Sequence, residues 1–144
     1  MPATFNLPFE VPRGPTHPFL APAQRDFAAR LKWSVTPVYR NANHNPSISA
    51  RPGPAISARP GQLLHLRAVT SDPDANKVTV FWWTWKDAGT YPGAVSIMNP
   101  HGAAIELRVP QDAKPGDQIQ IIAEATDDGV PALTRYAKVV LTVR

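Results

Sequence analysis

Cysteine is absent from this sequence. That excludes a disulfide framework, thiolate zinc sites and a cysteine nucleophile. The fold must then stand on its core alone, or on the core and a bound ion. Also missing is any apolar run near the roughly 18 residues of a membrane-spanning helix, so no span is expected. The first residues, Met-Pro-Ala-Thr-Phe-Asn-Leu-Pro, have neither a basic start nor a continuous apolar stretch. They do not read as a signal peptide, and an exported chain of this kind is expected to carry its signal outside them. Acidic residues are scarce early on: residues 1–67 hold eight Lys/Arg against two Asp/Glu, and residues 68–144 hold seven against nine. The early basic residues stand singly among prolines rather than clustered on one face, which argues against a nucleic-acid partner. Signs of catalysis are missing too. Ser71 and Ser96 lie in strand or turn contexts with no nucleophile elbow. His17, His44, His65 and His101 are scattered without ligand spacing. Glu106 and Glu124 alternate outward on expected strands, where they read as solvated rather than as a pair across a glycosidase cleft. The chain is not expected to be an enzyme.

What the chain does have is 43% hydrophobic residues over 144 positions, enough for one domain with an extension. Eleven of its 17 prolines fall in residues 1–60, six of them in residues 1–22. Residues 1–23 therefore read as an extended proline-rich arm without helix. Residues 24–45 read as a short helix, Gln24 to Trp33, followed by a connector. Phe27 and Leu31 form its apolar stripe, and Arg30 and Lys32 sit at the C-terminal end, where cations suit the helix dipole. Residues 46–144 read as a sandwich. A hexamer occurs twice there, Ile48-Ser-Ala-Arg-Pro-Gly53 and Ile56-Ser-Ala-Arg-Pro-Gly61. It suits two halves of one edge strand, where proline is tolerated. Period-two runs follow at regular spacing with turns between them: Leu64 to Ala68, Val78 to Trp85, Ala94 to Met98, Ala103 to Val109, Ile119 to Ala125 and Arg135 to Arg144. Seven to eight short strands in this pattern predict an all-β, immunoglobulin-like β-sandwich.

One strand carries three of the four tryptophans. Successive side chains of a strand point to opposite faces, so Val78, Val80 and Trp82 share one face and Thr79, Phe81, Trp83 and Trp85 the other. Trp82 suits the buried centre-strand tryptophan of an immunoglobulin-like core. The row Phe81, Trp83, Trp85, with neighbours about 6.5–7 Å apart, is left on the outside. An aromatic row on an outer face is covered by its own chain, covered by a partner, or stacked against something flat and partly apolar, such as a sugar ring. Lys86, Asp87 and Tyr91 are the candidates for a polar rim. Separately, Asp72 and Asp74 in the turn before this strand, with Asp127 in a later turn, are candidate ligands for a calcium ion. The competing reading is an Asx-type turn, in which aspartates bond their own backbone.

Several segments together resemble a known family. Asp26 to Arg30 with Trp33, Asn43 to Pro46, Ser71 to Asp74, Trp82–Trp83, Ala88 to Gly93 and Thr126 to Tyr136 are similar to the C-terminal domain of bacterial cellulose-binding proteins that carry a nucleoside-hydrolase-like domain ahead of it. The resemblance covers residues 24–144. It implies an immunoglobulin-like, PKD-like sandwich in a secreted or periplasmic protein. The expected function is that of a non-catalytic accessory module that binds cellulose or another β-glucan. The alternative is a docking or spacer domain for a hydrolase-like neighbour, with no sugar bound. No cofactor is implied, a calcium ion aside.

Overall fold

The computed structural model describes residues 19–35 and 42–144. The proline-rich arm over 1–18 and the connector over 36–41 lie outside the described residues. Among the described residues eight strands form two four-stranded sheets. They are β1 (Ser47–Arg51), β2 (Ala55–Ala58), β3 (Leu63–Ser71), β4 (Val78–Thr84), β5 (Ile97–Met98), β6 (Ala104–Arg108), β7 (Gln118–Asp127) and β8 (Thr134–Val143). One sheet runs β1-β3-β6-β5 and the other β2-β8-β7-β4. Leaving β2 aside, this is the four-on-three strand order of a constant-type immunoglobulin sandwich. All pairings are antiparallel except β2 on β8.

The alternation read from the sequence sorts the inner faces. Leu66, Ala68, Ile105 and Leu107 from one sheet meet Val80, Trp82, Ile119, Ile121, Ala123, Val139 and Leu141 from the other in a single buried cluster. Trp82 is 1% exposed. Its indole N–H donates to the Gly102 carbonyl at 2.9 Å, so a large ring is buried with its one polar atom satisfied.

The duplicated hexamer resolves differently from one broken edge strand. Its first copy forms β1 on β3, and its second forms β2, parallel to β8 in the opposite sheet. Each copy thus edges a different sheet. Pro52 and Pro54 lie where the chain crosses between the sheets and no ladder needs their missing N–H.

The helix α1 spans Leu20–Val35, starting four residues before the expected point. Pro22 lies in its first turn, where backbone N–H groups have no intrahelical partner, so the missing donor costs nothing. The Phe19 carbonyl accepts the first helical bond, from Ala23 N–H at 3.0 Å. Pro22 and Ala29 face the sandwich and are buried. Phe27 and Leu31 face away, 63% and 55% exposed, so the expected apolar stripe does not dock the helix on this domain.

Candidate functional site

The outer face of the β2-β8-β7-β4 sheet carries the aromatic row. Register places Trp83 opposite Ile122 and Phe81 opposite Glu124 on β7, with Tyr136 of β8 opposite Glu124. Phe81 is 39% exposed and pairs with the His101 ring at 5.0 Å. Segment 100–102 is bonded along this side of β4 through Trp82 N–H to Pro100 O and Gly102 N–H to Val80 O. Trp83 and Trp85 are half-buried, with ring centres 6.4 Å apart and planes tilted by 56°. Phe19, at the start of α1, packs on both, 5.7 Å from Trp83 and 5.2 Å from Trp85, and edge-on to Tyr136 at 4.6 Å. The row is therefore bent into an aromatic corner and partly covered by its own chain. Trp33 takes no part in that cover. It stacks on His44 at 5.3 Å, at the other end of α1, and its indole N–H donates to the Asn43 carbonyl.

Glu124 is not the solvated carboxylate expected of an outward strand position. Burial raises its pKa, while the Trp83 indole N–H and the nearby Arg25 hold the rise back. Burial, with the Glu124 charge beside it, pushes the Tyr136 phenol up to about 12. Glu106 lies on β6, outward on the other sheet. The two glutamates thus face opposite sides of the sandwich and cannot flank one scissile bond.

The rim candidates separate. Lys86 and Asp87 are exposed in a single 3-10 turn, Lys86–Ala88, directly after the aromatic strand. Tyr91 is not on the outer face: it is 7% exposed and belongs to the core cluster. Its hydroxyl donates to Asp112 at 2.6 Å, a bond that also raises its pKa. The loop is tied to β7 through Tyr91 N–H to Gln118 O, and a Cβ on Gly93 would collide with the Tyr91 hydroxyl. One side of Tyr91 still lines a cleft of about 160 Å³, together with Trp85, Lys86, Gln118 and Gln120. Reasoning from the sequence missed Gln118 and Gln120. Their signal was two amides alternating outward on a strand otherwise rich in isoleucine and alanine.

The acidic turns do converge at one end of the sandwich, but they bond one another and the backbone. Asp72 Oδ1 accepts from Asp74 N–H at 2.8 Å and Asn76 N–H at 3.3 Å, an Asx-type turn. Asp74 accepts from His44 N–H at 2.6 Å. Asp127 is buried and accepts from the Asn43 amide at 2.9 Å and from the backbone of Gly129 and Leu133 at 3.1 and 3.0 Å. Among the described residues no group of three His, Cys, Asp or Glu is placed to hold a metal ion. The expected ligand set of Asp72, Asp74 and Asp127 is therefore not assembled: Asp74, Asp127 and Oδ1 of Asp72 are bonded separately, and Oδ2 of Asp72 is buried without a hydrogen-bond partner.

The family model for the C-terminal domain of cellulose-binding protein Sde0182 matches residues 64–143. This chain belongs to that family. Among solved structures, a nucleoside hydrolase-related hypothetical protein from Saccharophagus degradans that is associated with carbohydrate metabolism is similar, at 30% identity and a TM-score of 0.83. The likeness covers 88% of this chain and 32% of that one, so the chain spans about a third of its length. None of the curated proteins matches. Among the described residues no helix is long and apolar enough to cross a membrane.

Proposed function

We propose that this domain is a non-catalytic carbohydrate-binding accessory module, with a β-glucan such as cellulose as ligand and Trp83 and Trp85 as the stacking surface. The observation that carries the reading is the pair of half-buried indoles on an outer sheet face in a chain of a cellulose-binding family. Sugar rings present axial C–H groups that pack on indole faces, and a rigid indole loses little entropy on contact. Phe81 extends the surface, and Lys86 and Asp87 stand beside it as hydroxyl partners. Two indoles tilted by 56° cannot both lie flat on one crystalline plane. The arrangement suits a single twisted glucan chain better, so amorphous or soluble β-glucan is the expected preference. Such polymers lie outside the cytoplasm, and the reading carries with it a secreted or periplasmic location.

The test is retention on amorphous cellulose and mobility in gels containing soluble β-glucan. Trp83→Ala and Trp85→Ala each weaken binding about tenfold, roughly 1.4 kcal/mol, with the thermal transition still cooperative. Parent-like binding by both variants would falsify the stacking surface.

A second reading has its own support in α1. Its outward apolar stripe, Leu20, Phe27 and Leu31, is exposed, and the similar solved chain is about three times as long as the part matched here. On that reading the domain docks on a hydrolase-like neighbour through α1 and binds no sugar. Glucan retention that survives Phe27→Ser and Leu31→Ser but not Trp85→Ala favours the first reading.

A further inference from the structure

We infer that the cleft between the Trp85–Val95 loop and β7 is a subsite for one terminal hexopyranose ring, with the Gln120 carboxamide oxygen accepting from a sugar hydroxyl. The inference rests on the carbohydrate-binding reading and names the part of the glycan this second site takes. Four observations carry it. First, Gln120 is 8% exposed, and its Oε1 is buried with no hydrogen-bond partner. A buried acceptor left unsatisfied is costly, so a native structure that keeps one calls for an explanation. Gln120 lines the cleft, and a rotation of its side chain that turns the oxygen toward the cleft lets a ligand O–H supply the missing bond.

Second, the walls are the chemistry that recognises a pyranose. Trp85 and Tyr91 offer ring surface for C–H groups, while Gln118 and Lys86 offer amide and ammonium groups at the mouth. Third, the size is that of one ring. A volume of about 160 Å³ lies below the roughly 300–1,000 Å³ of clefts that enclose drug-sized ligands. An oligosaccharide does not fit, so the ring taken is a chain end.

Fourth, the cleft is built before any ligand arrives. Thr90 and Tyr91 N–H donate to Gln118 O at 2.9 and 3.2 Å, and Gln118 N–H donates to Thr90 Oγ1 at 2.8 Å. Trp85 N–H donates to Gln120 O at 2.9 Å, and the Tyr91 hydroxyl is fixed on Asp112. Gly89 lets the loop approach this closely, since a Cβ there would meet Gln118 O at 2.6 Å. Rigid walls spare the ordering cost of binding.

The test is isothermal titration of the purified chain with glucose, cellobiose and cellotetraose, run beside retention on amorphous cellulose. Cellobiose and cellotetraose are expected to bind alike, because only their ends enter. Gln120→Leu is expected to lose about tenfold in that affinity while melting no lower than the parent, since an unsatisfied buried carbonyl has become apolar. Amide shifts of Gln118 and Gln120 on adding cellobiose to the unmodified protein give a readout that needs no variant to fold. Met98→Ala, on the opposite sheet, lies outside both the cleft and the stacking surface and is expected to keep oligosaccharide affinity. Parent-like cellobiose binding by Gln120→Leu, or no binding by the parent with amorphous cellulose still retained through Trp83, overturns the subsite and leaves the stacking surface standing. Loss of both ligands in the parent overturns both.

Discussion

At the scale of single residues, two side chains join the end of the sandwich that bears the acidic turns. Asp127 gathers Asn43 and the backbone of Gly129 and Leu133, while the Asn43 side-chain Oδ1 accepts from the Asn76 side-chain amide at 2.8 Å. The network ties the start of β1 to the turns before β4 and after β7. Removing the Asp127 carboxylate leaves several buried donors without a partner, and each unmade bond costs about 1–3 kcal/mol. Asp127→Ala is therefore expected to lower stability by about 2–4 kcal/mol, read as a fall in the urea midpoint at unchanged slope. A loss below about 0.5 kcal/mol would show the network to be dispensable. Gly129 belongs to the same structure, because a Cβ there would overlap the Asn43 amide. None of this crowding is visible in the local sequence Asp127-Asp-Gly129, which reads as an ordinary turn.

At the scale of elements, α1 is held to the sandwich mainly by polar groups. Arg25 donates to Ala132 O at 3.1 Å and to Thr134 Oγ1 at 3.4 Å. Asp26 pairs with Arg30 at 2.9 Å and with Arg135 at 3.4 Å. The Asn45 amide, turned to satisfy both neighbours, donates to Asp26 at 3.0 Å and accepts from Arg135. Burial alone would raise the Asp26 pKa. The bonds from Arg30 and Asn45 and the charge of Arg135 outweigh it, and the net result lies below the ordinary 3.8. A lowered carboxylate pKa contributes stability that is present above 3.8 and lost as pH falls through the folded value. Docking of α1 is thus expected to weaken on acidification below that point, seen as faster amide exchange over 20–35, and Asp26→Asn is expected to abolish the pH dependence. The pair is partly solvated, so the effect on global stability stays within about 1 kcal/mol. Glu124 works in the opposite sense. Its raised pKa means that folding favours the protonated form, so its contribution falls as pH rises through the folded value. If Asp26→Asn exchanges like the parent at every pH, the helix is held by something else.

At the scale of the whole molecule, a cysteine-free sandwich stands on one packed core and on hydrogen-bonded turns. No assembled cluster of metal-ligating side chains is present among the described residues. Calcium and a chelator are accordingly expected to leave Tm unmoved, whereas a ligand of the native state would raise it by mass action. A chelator-sensitive Tm would reopen the ion site at Asp72, Asp74 and Asp127. The alternation of apolar residues was enough to read the strands, their inner faces and the burial of Trp82, because a pleat sends neighbouring side chains to opposite sides whatever else the chain does. Family membership was legible in short motifs. Four features were out of reach: the cover that Phe19 puts on Trp83 and Trp85, the inward turn of Tyr91, the burial of Glu124 and the unsatisfied amide of Gln120. Each is made by an element distant in sequence, a helix start laid over β4, a loop tied to β7 or a strand paired across the sheet. Sequence periodicity fixes which face a side chain occupies, but only the packing of remote segments decides whether that face meets solvent, protein or ligand.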